Sequence, residues 1–373
     1  MTPLRVLLAS PGLGHQARGA ETFTAECFAA LRDDPRLDLI LAAGAGPRRR
    51  DELRIPTLPR DSAWGIRLGS RLGGDGYTGE VSSFTIGLLP HLVRLRPRVV
   101  YVSDLLLLRL LRRWRRATRS RFRLLLWNGA PYPPPFPEVD LVQQLTEERV
   151  RLARDAGERS ERQDFVPPGL SLARRRVVLD AEAKRALRRR LGIETERPVV
   201  VSVGVLDPHT KGQDRLARAC ARSEREPTVV LLGARADATA ALEEAARSAL
   251  GEDRLVVRTV ERAEVDDYYD AADVFALASL REGFGIVFVE AAAHGLPCVV
   301  DPDSGARDVL GVWGTYVDTR DEAAFAAAID AALEAGEADA VARHEAMVAR
   351  YDWTSLTESY VAMFQRAAAL SMR

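Results

Sequence analysis

Glu282 and Glu290 stand with seven residues between them, and their neighbours decide what chemistry two acids can do there. Glu282 precedes Gly283-Phe284-Gly285, a flexible stretch that opens onto the apolar run from Ile286 to Ala293. Glu290 is the one charged residue of that run, so a helix there is buried and carries a carboxylate into its packing. A buried carboxylate is costly unless it finds hydrogen-bond donors. The amides at the helix N-terminus favour an anionic ligand. Carboxylates able to hold hydroxyls, beside amides able to hold phosphate, suggest a site for a nucleotide sugar. The alternative is a salt-bridged Glu290 in an ordinary βαβ unit, and the pattern alone leaves both open.

The surrounding stretch, residues 274–303, reads as apolar strand, acid-glycine loop, helix, glycine stop and second apolar strand. Similar units recur along the chain. Leu4 to Ala9 forms a strand, a glycine loop follows, then a helix from Ala20 to about Leu31 and a strand from Leu37 to Ala43. That order opens a doubly wound α/β domain. Further strands are expected at Arg98 to Val102 and Leu124 to Trp127, with a helix before the first of them. Phe165-Val166-Pro167-Pro168-Gly169 marks a linker. Beyond it, Pro198 to Val203 is a strand, followed by the loop from Gly204 to Gly212, a helix from Gln213, and the strands TVVLLGA and RLVVRTV. Glu322 to Ala335 and the last segment, from Tyr351-Asp352-Trp353 onward, read as helices.

Length and composition agree with two α/β domains, since 373 residues are more than one core requires. Lys plus Arg and Asp plus Glu both number 53, which leaves no global field for nucleic acid. Cys27, Cys220 and Cys298 are far apart and lack metal-ligand spacing. Their odd number, without a signal peptide or an apolar run of membrane-spanning length, points to a reducing cytoplasm.

Three local patterns have two readings each. Gly12-Leu13-Gly14-His15-Gln16-Ala17 fits the dinucleotide fingerprint, but residues intervene before the helix and the second strand ends without an acid for a ribose. Nicotinamide binding therefore ranks below the sugar-nucleotide reading. From Asp104 to Arg123, eight arginines interleave with Leu and Trp114. This is either an amphipathic helix with one solvated face or a basic surface, residues 109–123, that meets anionic lipid or a lipid-linked acceptor. Asp301-Pro302-Asp303 matches a metal-binding D-x-D formally, yet its place after a strand favours a loop.

The segments REGFGIVFVEAAAHGLPCVV, VSVGVLDPHTKGQDRLARA, FVPPGL, YDWTSLTESY and RGAETFTAECFAAL resemble those of the GT-B glycosyltransferases. Within that fold they resemble the large retaining group called glycosyltransferase family four, with its Glu-x7-Glu segment. The resemblance spans nearly the whole chain and is strongest from Val199 to Asp318. It implies an α/β chain of two facing Rossmann-like doubly wound domains with a cleft between them. Residues 1–168 would be the acceptor-side domain, with a C-terminal helix, 353–373, packing back on it. Residues 169–352 would bind the donor.

Carried over by position, the resemblance puts Glu282 on the donor sugar's hydroxyls and Glu290 on the ribose hydroxyls, which would supply the donors its burial demands. Lys211, beside Gly204, would neutralise the diphosphate as a compact point charge. The amides of Phe284, Gly285 and Ile286, with Gly19 from the first domain, would cradle phosphate, and Val260 would frame the base. The implied reaction moves a sugar from a UDP- or GDP-linked donor to a hydroxyl acceptor, lipid-linked or a growing glycan, with retention and without a metal or other cofactor. The place is the cytoplasm, with peripheral contact at the inner membrane surface.

The chain departs from the pattern at three points. Val205 follows Gly204 where the family usually has Arg, so Arg281 or Arg307 would have to replace a diphosphate cation. Arg18-Gly19 stands where Gly-Gly is common. Asn128 occupies the place of a His that faces the sugar, and an amide orients a hydroxyl but takes up no proton; His15 and His209 are the other candidates. Val205 and Asn128 support one rival, a catalytically silent GT-B homologue that binds nucleotide sugar or a partner; the other, a GT-B nucleotide-sugar epimerase, shares the architecture but would need acid-base groups of its own.

Overall fold

The computed structural model describes residues 2–15, 19–46, 51–130, 132–172, 179–193 and 196–371. The chain divides into two units, Met1–Ser171 with Tyr351–Arg373, and Leu172–Arg350.

The first unit is built on seven parallel strands: β1 (Leu4–Ser10), β2 (Leu37–Ala43), β3 (Glu52–Arg54), β4 (Val99–Val102), β5 (Arg123–Trp127), β6 (Leu141–Gln144) and β7 (Gln163–Phe165). Their order is β3-β2-β1-β4-β5-β6-β7, so the winding reverses between β1 and β4. β1 pairs with β2 from Leu4 opposite Leu37 to Ser10 opposite Ala43. The central strands are runs of Val and Leu buried on both faces, as a parallel sheet covered by helices requires. Leu107, Leu108 and Leu111 of the helix Leu105–Thr118 pack with Phe84 and Leu88 of the helix Gly76–Leu95 on one side of it.

The terminal helix Trp353–Ala369 belongs to this unit. Its Tyr360 donates to the Pro167 carbonyl at 2.9 Å and accepts from Gln143 Nε2 at 3.1 Å. Leu170 N donates to Tyr351 O at 2.8 Å and Trp353 N to Leu170 O at 3.1 Å, so the outgoing and returning segments lie side by side. Gly169 is required at that crossing, because a Cβ there would stand 2.4 Å from the Trp353 ring.

The second unit has six parallel strands: β8 (Val199–Val203), β9 (Thr228–Leu232), β10 (Leu255–Arg258), β11 (Val274–Leu277), β12 (Cys298–Val300) and β13 (Gly314–Tyr316). The order is β10-β9-β8-β11-β12-β13, with the reversal between β8 and β11. Both units are thus doubly wound and Rossmann-like, as expected. The helix Ile286–Ala293 buries Phe288, Val289 and Glu290 to Ala293, and Phe275 and Phe288 meet edge to face at 6.3 Å.

Two features differ from the sequence reading. Between Ala43 and the helix expected before Arg98 the sequence pattern marks no element, yet the helix Ala63–Arg71 lies there. It lies so close to the helix Gly76–Leu95 that a Cβ on Gly79 would meet the Gly65 carbonyl oxygen at 2.0 Å. The arginine-rich stretch is not one helical face. Its helix stops at Thr118, Arg119 turns the chain in the left-handed region at φ 54°, and Arg123 already belongs to β5.

Candidate active site

In the second unit the expected donor-binding residues come from several loops at one edge of the sheet, the carboxyl ends of β8, β10 and β11, next to the reversal of winding. Open α/β sheets bind ligands at such an edge. Gly204 follows β8, and the loop closes in the short helix Pro208–Lys211, capped by Asp207. Gly204 lies beneath the aliphatic stem of Lys211, 3.3 Å from where a Cβ would sit. Val260 follows β10 and is half-buried. Glu282 follows β11, with its backbone N–H donating to Ser304 O at 3.1 Å.

Lys211 Nζ meets Glu282 Oε1 at 2.6 Å, with both side chains largely buried. A compact cation and a carboxylate are therefore held together at this edge. Beside them the helix Ile286–Ala293 starts at Gly285, whose φ of 77° suits glycine, and no side chain caps it. Its first-turn amides add partial positive charge at the same place.

Glu290 is 4% exposed, and protein groups supply its donors. Arg262 pairs with Oε1, and the Tyr269 hydroxyl donates to Oε2 at 3.3 Å. The donors that its burial demands were expected from a ribose; here they come from the loop after β10 and the helix after it. Arg262 itself bridges to Asp266 at 3.6 Å.

The neighbouring residues sort as follows. Asp301 is a structural group, fully buried, accepting from the backbone N–H of Asp303 at 2.9 Å and from the Thr319 hydroxyl at 2.7 Å. Asp303 is exposed and faces Arg320 at 3.4 Å. The D-x-D is thus a turn, and the described residues contain no cluster of three or more His, Cys, Asp or Glu that could hold a metal. Arg307 lies over the Tyr316 ring at 4.3 Å, which occupies one of the two replacement cations. Arg281 and Val205 are exposed.

Asn128 and Gly19 belong to the first unit. Gly19 opens the helix Gly19–Leu31, and a Cβ there would meet open space. The preceding Gln16, Ala17 and Arg18 lie outside the described residues, and with them the end of the fingerprint-like loop. Asn128 follows β5 and is 4% exposed; its Nδ2 donates to Gln144 Oε1 at 3.0 Å and its Oδ1 accepts from Tyr132 N at 3.3 Å. One Nδ2 hydrogen and one Oδ1 lone pair are thus engaged, which fixes the side chain between β6 and the loop after β5. His15 packs near Gly44 with Nε2 buried and unpartnered among the described residues, while His209 is exposed.

A group missed in the sequence stands at the same carboxyl edge of the first sheet. Asp104, just after β4, accepts from Leu107 N at 2.8 Å and from the Tyr77 hydroxyl at 2.8 Å. Burial raises its pKa above the ordinary aspartate value, against the lowering effect of these hydrogen bonds. Tyr132 is raised as well, by burial and then by the charge of Asp104. The signal was the acid two residues beyond the strand's last residue, Val102, but Asp before a helix reads first as a cap.

Two parallel-sheet Rossmann-like units, the second with its polar edge around Lys211 and Glu282, define a GT-B fold. Residues 183–347 match the family of glycosyl transferases group 1. A D-inositol 3-phosphate glycosyltransferase of Xylanimonas cellulosilytica is 34% identical over 237 residues, covering 61% of this chain and 57% of that protein. A GDP-mannose-dependent alpha-(1-6)-phosphatidylinositol monomannoside mannosyltransferase of Mycolicibacterium smegmatis is 32% identical over 178 residues, 44% of this chain and 46% of that one. The chain thus spans only about half the length of these relatives. Sucrose-phosphate synthase from Thermosynechococcus elongatus superposes with a TM-score of 0.79 at 17% identity, over 99% of this chain and 100% of that one. The resemblance to GT-B glycosyltransferases seen in the motifs therefore holds for both sequence and fold.

Proposed function

We propose that this chain transfers a sugar from a nucleoside diphosphate sugar, UDP- or GDP-linked, to a hydroxyl acceptor with retention at the anomeric carbon. The observation that carries the reading is the Lys211–Glu282 pair at 2.6 Å beside the uncapped start of the helix Ile286–Ala293. In this reading Glu282 holds donor-sugar hydroxyls, and Lys211 with the amides of Phe284, Gly285 and Ile286 takes up charge on the diphosphate. Glu290 holds the ribose, and Val260 borders the base. The bond from the anomeric carbon to the diphosphate oxygen breaks, and the acceptor oxygen bonds on the same face. The hydroxyl proton passes to the leaving phosphate. Lys211 and the amides supply the positive charge that the leaving group needs, so the reading assigns no metal.

The acceptor is lipid-linked or a growing glycan, at the cytoplasmic face of a membrane. The name of the mannosyltransferase relative, with its phosphatidylinositol acceptor, supports this, as do the exposed Arg113, Arg116 and Arg121. No described helix is long and apolar enough to cross a bilayer. A second reading, a silent homologue that binds donor without turnover, draws support from exposed Val205 in place of a cation and from Asn128, whose amide takes up no proton.

Thermal shift across UDP- and GDP-sugars, followed by nucleoside diphosphate release, tests both. At least one donor should stabilise the protein and be consumed, and Lys211→Ala and Glu282→Ala should each lower consumption by about 100-fold or more. Undiminished turnover in both variants would remove the site assignment. Stabilisation without release in the wild type would establish the silent reading instead.

A further inference from the structure

A cavity of about 1140 Å³ opens at the amino-terminal ends of β5, β6 and β7, the opposite end of the strands from Asn128. Arg112, Arg115, Arg116, Arg119, Arg159 and Arg162 line it. Four carboxylates share the wall, and three are engaged. Glu138 meets Arg109 at 3.0 Å and Arg112 at 3.7 Å, Asp140 pairs with Arg115, and Glu158 meets Arg162 at 3.1 Å. Asp140 and Glu158 also accept backbone N–H groups, from Leu124 at 2.7 Å and Phe136 at 2.8 Å, so these pairs build the wall.

What remains is lopsided. Arg116, Arg119 and Arg159 are exposed and have no ion-pair partner among the described residues, and Glu161 on the rim is the one acid left to oppose them. Ser120 and Ser160 add hydroxyls. Arg119 also holds the left-handed conformation at the end of the helix Leu105–Thr118, a place where glycine is favoured. Arg96 ends the helix Gly76–Leu95 in the same conformation, so the backbone alone marks no site; Arg119 is set apart by lining a cavity with two other exposed guanidiniums that pair with no described acid.

We infer that this cavity is a second anion site that takes a phosphate-bearing ligand, separate from the donor edge of the other unit. Guanidinium groups with hydroxyls match phosphate oxygens in geometry and charge. The phosphate comes either from a lipid headgroup or from a soluble polyphosphate.

The full chain carrying Lys211→Ala, which weakens diphosphate binding at the donor edge, separates the two sites. Inorganic tripolyphosphate is titrated by calorimetry, and phosphatidylcholine vesicles with and without phosphatidylglycerol are used for co-sedimentation. At least one phosphate probe should bind, and adding Arg116→Gln, Arg119→Gly and Arg159→Gln should weaken it about tenfold or more. Binding of tripolyphosphate alone identifies a soluble ligand, and binding of anionic vesicles alone identifies a headgroup. Arg119→Gly by itself should weaken the probe while the melting temperature holds or rises, since glycine relieves the left-handed backbone. Failure of both probes to bind, or binding indifferent to the arginine changes, overturns the inference.

Discussion

Lys211 Nζ and Glu282 Oε1 lie 2.6 Å apart although they stand 71 positions apart in the chain. Each is the other's counter-charge in a largely buried setting, so removing one leaves the other uncompensated. Lys211→Ala and Glu282→Ala should each destabilise the protein by about 1–3 kcal/mol. The double variant should fall short of the sum by roughly 1 kcal/mol. Urea unfolding of the four proteins measures the coupling, and strict additivity would reduce the pair to proximity.

Arg262 and Glu290 make the complementary case. Arg262→Ala leaves a carboxylate that is 4% exposed with the Tyr269 hydroxyl still donating, and should lower stability by about 1–3 kcal/mol. Glu290→Gln keeps an acceptor but loses the charge that a ribose diol prefers, and should weaken UDP or GDP binding by about tenfold. An unchanged nucleotide affinity in Glu290→Gln, measured by calorimetry, would leave Glu290 a structural ion pair.

Asp104 gives a pH signature. Its folded pKa is raised by burial, so folding disfavours the charged form. The resulting penalty is absent below the unfolded value, about 3.9, and complete above the folded one. Asn at this position still caps Leu107 and cannot ionise. Asp104→Asn should therefore gain melting temperature over wild type as pH rises from 4 to 7. A difference that does not change with pH would contradict the raised pKa.

The thiols offer a chemical check on the two cores. Burial pushes Cys220 and Cys298 up to about 12 and Cys27 higher still. At pH 8 a pKa of about 12 leaves roughly one thiolate in 10⁴, against about a quarter for a free thiol. Native protein should be nearly inert to iodoacetamide, and all three cysteines should react once it is unfolded. A fast-reacting thiol in the native state would mean local opening of the helix or strand that holds it.

The sequence made much of this visible because periodic signals dominate it. The Val and Leu runs of β1, β4 and β8 declare a two-sided buried sheet, and Glu290 in an apolar helix declares a buried acid. Pairing across distance is another matter. Nothing local joins Lys211 to Glu282, and Lys211 was assigned to phosphate with no partner in view. β6 was hidden by its own polarity, since Gln143 and Gln144 look exposed in sequence. They are buried because Tyr101, Val166, Tyr360, Asn128 and Gln163 satisfy their amides. Asp104 was masked by doing two things at once, capping a helix and lying at a strand's carboxyl end. The helix Ala63–Arg71 escaped because it carries two glycines, poor helix formers: Gly65 clears the Pro59 carbonyl, and Gly69 lets the start of the helix Gly76–Leu95 approach.

The crossing at Leu170 bears on how the protein is made. The first unit's core includes Tyr360 and Phe364, buried and packed against each other at 6.3 Å, from a helix that is synthesised only after residues 172–350. Residues 1–171 emerge early but lack that helix, whereas residues 172–350 are complete before it appears. The order of synthesis and the order of completion are therefore inverted. The second unit can mature on the ribosome while the first waits, its seven strands already made but one part of its sheet uncovered until the helix Trp353–Ala369 follows.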